Sequence, residues 1–215
     1  MNTIIDRINK INSNINDLNS KNKVNIIAVS KTFPLEHIMP LVEYGHIHFG
    51  ENKVQEAIDK WTETKRVNPK IQLHMIGKLQ TNKVKFAVKL FDYIHSVDNE
   101  KLIKKIADES VKLNKKIKIF IQVNIGNETQ KSGVDLISLK NLILSCKEKN
   151  LDLLGLMCIP PINEDPIKYF KEMKKLNNQF NFSELSMGMS SDYLSAAKNS
   201  ATFLRIGSSI FGERS

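Results

Sequence analysis

Eight short apolar segments, separated by longer segments with apolar residues at helical spacing, constrain the fold of this chain most strongly. Several of the short segments are apolar on successive residues, as expected of parallel strands that are covered on both faces. The segments between them are long enough for crossover helices. We therefore predict an α/β fold, a closed (β/α)₈ barrel rather than an open sheet. Its strands are expected within residues 24–29, 46–50, 71–77, 91–97, 117–125, 151–159, 182–188 and 202–207.

The first residues carry the pattern of an amphipathic helix. Six apolar residues between Ile4 and Leu18 recur at helical spacing over residues 3–20. We predict an N-terminal helix within residues 1–20 that packs on the barrel. No linker or low-complexity tract divides the rest of the sequence, and 215 residues suit one barrel. A single domain over residues 1–215 is therefore expected.

The charge distribution argues against a nucleic-acid partner. The formal net charge is +9, but only 4 of the 32 basic residues are arginine, and the lysines are scattered along the chain. Dispersed surface lysine more often serves solubility than phosphate binding. No apolar run approaches the roughly 18 residues of a membrane span. Asp6 and Arg7 also stand where a signal peptide needs an apolar core. We expect a cytoplasmic protein that binds neither nucleic acid nor membranes.

Lys31 follows the first predicted strand directly. Functional residues of a (β/α)₈ barrel gather at the C-terminal ends of its strands. Burial at such a position favours the neutral amine, which can attack an aldehyde and form a Schiff base. The alternative is that Lys31 is one of many lysines and is solvated at the start of a loop.

Two small-residue segments, SMGMSSD (186–192) and RIGSS (205–209), follow the seventh and eighth predicted strands. The loops at these positions of a barrel often bind phosphate. Gly188 and Gly207 allow close backbone approach, Ser190 and Ser208 supply hydroxyl groups, and a capped helix is expected to open from Ser190. A lysine on the first strand and a phosphate site across the barrel together indicate pyridoxal 5′-phosphate (PLP) as the cofactor.

The sequence also resembles a known family. The segments VSKTFP, FGENKVQEA, LHMIGKLQTNKVK, HSVDN, IQVNIGNETQKSGV, GLMCIPP, LSMGMSSDYLSAA and LRIGSSIFGER are similar, in order, to those of the pyridoxal phosphate homeostasis proteins (YggS-like). The resemblance implies a barrel of the alanine-racemase type that carries PLP on a lysine and has no established catalytic activity. It also implies a role in buffering or delivering the cofactor, with apo PLP-dependent enzymes as possible acceptors.

The resemblance assigns roles to individual residues. It implies that Lys31 forms the Schiff base and that Arg205 faces the pyridine nitrogen. The positions that match phosphate contacts or segments lining the cofactor are Asn52, Met187, Met189, Ser190, Gly207 and Ser208. Lys78 and Cys158 depart from residues common in the family. The sequence explains neither Lys78 nor the lysine of the QKSG segment, Lys131.

A PLP-dependent enzyme acting on amino acids, such as a racemase, is the main alternative. Racemization needs acid and base groups on both faces of the substrate, and in the resembling racemases one comes from a second domain that this chain has no residues left to form. An arginine beside the ring nitrogen would also require an unprotonated pyridine, which is a weak electron sink. None of the four tyrosines can be assigned as a base. We expect a cofactor carrier, monomeric, rather than an enzyme.

A metal-dependent hydrolase is a further alternative, suggested by His46 and His48 on one face of the second predicted strand and by His74 and His95. No carboxylate pattern joins these histidines, so the sequence gives the metal site little support.

Overall fold

The computed structural model describes residues 3–18 and 23–213. Within these residues, strands and helices alternate along the chain. The strands are β1 Asn25–Val29, β2 His48–Glu51, β3 Gln72–Met75, β4 Tyr93–Val97, β5 Lys118–Val123, β6 Asp152–Cys158, β7 Glu184–Ser186 and β8 Phe203–Ile206. The helices are α1 Thr3–Asn16, α2 Leu35–Glu43, α3 Val54–Val67, α4 Val84–Leu90, α5 Glu100–Lys112, α6 Leu136–Glu148, α7 Pro166–Gln179, α8 Tyr193–Lys198 and α9 Ser208–Phe211, and a 3₁₀ turn covers Thr81–Lys83.

The strands form a closed parallel barrel in sequence order. Each strand pairs with the next, and the pairing of β1 with β8, with Ile27 opposite Arg205, completes the cylinder. The predicted (β/α)₈ barrel is confirmed: seven of the eight predicted segments contain their strand, and the segment 46–50 overlaps the second strand. The second strand is displaced from its prediction because the backbone N–H of His46 bonds to Leu41 in the turn after α2, so the strand begins at His48.

Helix α1 packs against α2, α8 and α9 on the outside of the barrel. Its buried side chains follow the predicted stripe, namely Ile4, Ile8, Ile11 and Ile15. The helix ends at Asn16, earlier than the predicted residue 20. Residues 1–2 and 19–20 of the predicted helix lie outside the described residues.

The barrel interior differs in chemistry from the layer between strands and helices. The outer layer consists of apolar side chains, whereas the interior combines Ile27, Phe120 and Phe203 with buried polar side chains. These polar side chains are His74, His95, Ser186 and Arg205. Because barrel interiors are usually filled by branched aliphatic residues, this polar interior marks a specialised region beneath the C-terminal ends of the strands.

No helix in the described part of the chain has the length and apolar character needed to cross a bilayer. Both cysteines are buried thiols, and burial raises the pKa of Cys146 and of Cys158 to about 12. They therefore act as small apolar packing residues.

Candidate functional site

A pocket of about 520 Å³ opens at the C-terminal ends of the strands. Its size is in the range of small-molecule sites. It is lined by Val29, Lys31, Asn52, Ile76, Ile159, Met189, Ser190, Ser191, Arg205, Gly207, Ser208 and Gly212. Seven of the eight residues predicted from the sequence therefore meet in one pocket, although they come from four separate parts of the chain.

Met187 does not line this pocket. Its side chain is fully buried in the outer core layer, and its backbone N–H donates to the Phe203 carbonyl. Ser186, the preceding residue, points into the barrel, so the alternation of side chains directs Met187 outward. Met189, two residues later, reaches the pocket.

The segment that carries Lys31 is held on both sides by buried groups. On one side, Ser30 donates from its hydroxyl to Glu51 Oε1 at 2.7 Å, and its carbonyl accepts from Lys60 Nζ at 2.9 Å. Lys60 also pairs with Glu51 at 3.0 Å, and the Trp61 indole N–H donates to the same carboxylate oxygen at 2.9 Å. Trp61, which is fully buried on helix α3, thus makes a polar contact in addition to its apolar packing.

On the other side of Lys31, Thr32 adopts a left-handed backbone conformation with φ of 68°. This conformation is unfavourable for a β-branched residue and persists only where the surroundings enforce it. The Thr32 N–H donates to Glu56 Oε1 at 2.6 Å, and Glu56 pairs with Lys60 at 3.0 Å. Burial would raise the pKa of Glu56, but the Thr32 and Lys60 contacts hold it below its ordinary value. Lys60 therefore links the groups that fix both neighbours of Lys31.

The arrangement of Glu51, Glu56 and Lys60 was not predicted from the sequence. A carboxylate at the end of a buried strand was the available signal, because such a group needs a cationic or hydrogen-bonding partner. The partner lies on the following helix and could not be chosen among the many lysines from spacing alone.

Arg205 is the other charged residue of the pocket, and it is only 4% exposed. Its Nη1 donates to Ser186 Oγ and its Nη2 to the Cys158 carbonyl, both at 2.8 Å. Among the described residues no carboxylate forms an ion pair with it. Burial lowers the pKa of this guanidinium, yet arginine stays protonated and can only donate. A buried cation of this kind favours a ligand that presents a hydrogen-bond acceptor.

The loops after β7 and β8 are joined through Ser190. Its Oγ accepts from the backbone N–H of Gly207 at 3.2 Å and of Ser209 at 3.4 Å. The predicted helix does not begin at Ser190, because α8 begins at Tyr193. The residues before it form a turn in which the backbone N–H of Met189 donates to Asp192 Oδ1 at 2.6 Å.

Two glycines shape the pocket walls by close packing. Gly188 has φ of 92°, and a Cβ there would lie 2.4 Å from that of Ala196. A Cβ on Gly77 would lie 2.4 Å from the Asn52 carbonyl oxygen. The absence of a side chain at each position is thus required for the loops that carry Ser190 and Asn52.

A smaller pocket of about 330 Å³ adjoins the first and shares Asn52, Ile76 and Ile159 with it. Lys78 and Lys131 both line it. Lys131 donates to the Pro160 carbonyl at 3.1 Å and pairs with Glu128 at 2.5 Å. It therefore fastens the loop after β5 to the loop after β6, which accounts for a lysine that the sequence left unexplained.

Three histidines, His48, His74 and His95, lie below the pocket, inside the barrel, and bond to one another. His48 contacts His74 at 3.0 Å and His74 contacts His95 at 2.9 Å, whereas His46 bonds to the His48 carbonyl from outside the strand. The prediction that His46 and His48 share one strand face is therefore wrong. Among the described residues, no group of three His, Cys, Asp or Glu side chains is arranged to hold a metal ion.

Comparison with known proteins identifies the family. The model of the N-terminal domain of alanine racemase matches residues 7–215. The pyridoxal phosphate homeostasis protein of Vibrio cholerae is 36% identical over 208 residues, covering 91% of this chain and 87% of that protein. Its Aquifex aeolicus counterpart is 37% identical over 204 residues, covering 90% and 89%. This chain belongs to the pyridoxal phosphate homeostasis protein family.

A solved structure of the same type supports this membership. PipY of Synechococcus elongatus PCC7942, determined with PLP bound, is 32% identical and superimposes with a TM-score of 0.86 over 97% of this chain and 100% of that chain. The resemblance predicted from the eight sequence segments, and the barrel of the alanine-racemase type, are both confirmed.

Proposed function

We propose that this protein binds PLP through Lys31 and takes part in intracellular vitamin B6 homeostasis, buffering or delivering the cofactor. The observation that carries the proposal is the buried Arg205 guanidinium, a donor without an ion-pair partner among the described residues, in the pocket that Lys31 lines. The family's name and the PLP-bound structure of PipY support the same ligand.

The chemistry of the pocket fits the three polar ends of PLP. Lys31 supplies an amine for the aldehyde, and Arg205 supplies a donor for the pyridine nitrogen. Ser190, Gly207 and Ser208 supply a hydroxyl-rich wall for the phosphate. The side chains that would flank the ring are Asn52 and Met189. When bound, PLP supplies an electrophilic aldehyde and a conjugated ring.

We infer that the site serves binding rather than catalysis on amino acids. Because the Arg205 guanidinium only donates, it keeps a facing ring nitrogen unprotonated and limits the ring as an electron sink. Racemization would further require proton-exchanging groups on both faces of a substrate. Among the described residues that line the pocket, Lys31 carries the one amine, and the four tyrosines lie elsewhere.

In the proposed role, the protein is a cytoplasmic monomer that binds PLP and releases it to apo PLP-dependent enzymes. A carrier of this kind needs an accessible pocket and reversible attachment, because transfer requires that the cofactor leave. Lys31 is only partly buried and lines an opening at the barrel end, which supports access by a small ligand or an acceptor enzyme.

The proposal is tested by loading and transfer measurements on the full chain. PLP binding is followed by visible absorbance and equilibrium dialysis for the wild type, Lys31→Ala and Lys78→Ala. We expect one PLP per wild-type chain, loss of the visible band in Lys31→Ala, and a retained band in Lys78→Ala. Absence of PLP binding by the wild type would refute the proposal.

Delivery is tested by mixing the loaded protein with an apo PLP-dependent enzyme. Activation faster than spontaneous dissociation, and increasing with acceptor concentration, is the result expected for direct delivery. A rate equal to dissociation at every acceptor concentration would restrict the role to buffering.

A further inference from the structure

A continuous row of hydrogen-bonded side chains crosses the barrel interior below the pocket. Arg205 Nη1 bonds to Ser186 Oγ at 2.8 Å, and Ser186 Oγ to His95 Nδ1 at 2.9 Å. His95 Nε2 then meets His74 Nδ1 at 2.9 Å, and His74 Nε2 meets His48 Nδ1 at 3.0 Å. We call Ser186, His95, His74 and His48 the histidine chain. The histidine chain begins next to Arg205 on β8, passes through side chains of β7, β4 and β3, and ends at His48, the first residue of β2.

Arg205 fixes the direction in which these hydrogen bonds run. A guanidinium only donates, so Ser186 Oγ must accept from it. Among the described residues, the acceptor available to the buried Ser186 hydroxyl proton is His95 Nδ1. A donated proton would have no acceptor if His95 Nδ1 carried its own, and a buried unsatisfied donor is costly. His95 is therefore protonated on Nε2 alone.

The proton position on His95 determines those on the next two rings. Because His95 donates from Nε2, His74 accepts on Nδ1 and carries its proton on Nε2. His74 then donates to His48, whose Nδ1 is also unprotonated. One charge at the pocket thus sets the tautomer of three imidazoles, which all act as neutral rings with the proton on Nε2.

Burial keeps these rings neutral. His74 and His95 are 0% exposed, and burial, followed by neighbouring positive charge, holds their pKa values well below the ordinary value. Burial and the nearby His46, Lys118 and Lys23 lower the pKa of His48 to about 4. A second proton on any ring would place two donors face to face, which the direction of the row forbids.

Aromatic packing prevents the imidazoles from turning. His74 stacks on Tyr93 with centroids 4.2 Å apart and an interplanar angle of 13°. His95 stacks on Phe120 at 4.3 Å and 15°. Phe203 lies within 6.1 Å of all three imidazole rings. The rings are therefore held in the planes that the hydrogen bonds require.

We propose that the histidine chain positions Arg205, holding its guanidinium as a fixed donor toward an acceptor atom on the ring of a bound ligand. The direction of the chain is a property of the protein alone. Only the identity of the ligand atom, the pyridine nitrogen, rests on the proposed function. A substitution that removes a hydrogen bond of the histidine chain should therefore loosen Arg205 without changing the other residues that line the pocket.

The direction of the hydrogen bonds in the histidine chain is measured without PLP. Nitrogen NMR of the full-length apo protein, labelled at histidine, shows which imidazole nitrogen carries the proton. We expect His48, His74 and His95 to carry the proton on Nε2 only, and we expect Ser186→Ala and Arg205→Met to abolish the single tautomer at His95. A proton on Nδ1 of His95 in the wild type would overturn the proposal, whether or not PLP binds.

Positioning is measured on PLP-loaded protein with Ser186→Ala. We expect PLP affinity to fall about tenfold, as for loss of a hydrogen bond to a charged group. We also expect the ring nitrogen to take up a proton at a higher pH than in the wild type, because a loosened Arg205 no longer excludes that proton. The pH titration of the visible band follows this change. Rescue of both readouts by Ser186→Thr, which restores the hydroxyl, would support positioning over simple packing.

Ser96→Ala is the matched control, because Ser96 is a 2% exposed strand serine whose hydroxyl has no partner among the described residues. It should leave affinity and the band titration unchanged. Equal behaviour of the Ser186 and Ser96 variants in PLP-binding protein would overturn the proposal while leaving the PLP assignment intact. If Ser186→Ala does not fold, His95→Phe tests the same coupling, because it keeps an aromatic ring against Phe120 but removes the acceptor for the Ser186 hydroxyl. Unchanged PLP affinity and an unchanged band titration in that variant would overturn the proposal.

Discussion

The hydroxyl oxygen of Ser190 accepts a hydrogen bond from the backbone N–H of Gly207 at 3.2 Å, which joins the loop after β7 to the loop after β8. The same oxygen accepts from the Ser209 N–H. Because the oxygen is engaged as an acceptor, the hydroxyl proton is available to donate to an anionic oxygen. Ser190 thus joins the two loops, and in the proposed PLP site its hydroxyl would donate to the phosphate.

Ser190→Ala should therefore weaken PLP retention by about tenfold, the effect of losing a hydrogen bond to a charged group together with the acceptor for two N–H groups. Equilibrium dialysis of the variant measures this change. Ser195→Ala, on α8 outside the pocket lining, is the control and should bind as the wild type does. Equal affinity of the Ser190 variant and the wild type would exclude Ser190 from the phosphate wall.

Lys60→Met should lower the free energy of unfolding by about 3 kcal/mol, because it leaves the fully buried Glu51 carboxylate without its cation. It should also slow PLP attachment to Lys31, since the groups that hold Ser30 and Thr32 lose their common partner. Urea denaturation and stopped-flow absorbance measure the two effects.

Arg66→Met is the control for this variant. Its ion pair with Glu63 is solvent-exposed, at 71% and 77% for the two side chains, so its loss should change stability by less than about 1 kcal/mol. If Lys60→Met attached PLP at the wild-type rate, the proposed support of Lys31 by this ion pair would be refuted.

Stability should decrease as the pH falls below about 6.5, the ordinary pKa of histidine. Burial lowers the pKa of His46, His74 and His95, and that of His48 to about 4. The unfolded chain therefore binds more protons than the folded chain in this window, and each such histidine adds about 1.4 kcal/mol per pH unit to the slope. Urea denaturation at pH 7 and pH 5.5 should show the loss, and His48→Gln should reduce it. A wild-type stability independent of pH over this range would contradict neutral buried imidazoles.

Gly188→Ala should be more destabilising than Gly45→Ala. Both glycines have positive φ, 92° and 94°, and so share the conformational cost of about 1 kcal/mol. A Cβ at Gly188 would also lie 2.4 Å from that of Ala196, whereas nothing lies within 4 Å at Gly45. Thermal unfolding separates the two contributions, and equal losses in the two variants would show that the loop can move to accept the added methyl group.

Much of the architecture is predictable because buried parallel strands leave continuous apolar runs, and their C-terminal ends meet at one opening. From the sequence alone, that rule places Lys31 and Arg205 at the same end of the barrel. It does not separate Met187 from Met189, because β7 is only three residues long and the sequence does not fix which residues point inward.

The polar contacts beneath the pocket could not be predicted from the sequence. His95 and Ser186 are 91 positions apart, and their contact depends on the register of strands that are not neighbours in the chain. Lys60 likewise reaches Glu51 from the following helix, and nothing in the sequence distinguishes it from other lysines. Such contacts become visible only when the barrel is closed.

Borohydride reduction of the PLP-loaded protein, followed by peptide mass mapping, tests most directly whether Lys31 carries PLP. Reduction makes the bond between an amine and the PLP aldehyde permanent, so the mass of PLP marks the lysine that carries it. We predict one PLP per chain, on the peptide that contains Lys31. Label on Lys78 or Lys131 in place of Lys31, or no fixed label at all, would contradict the account.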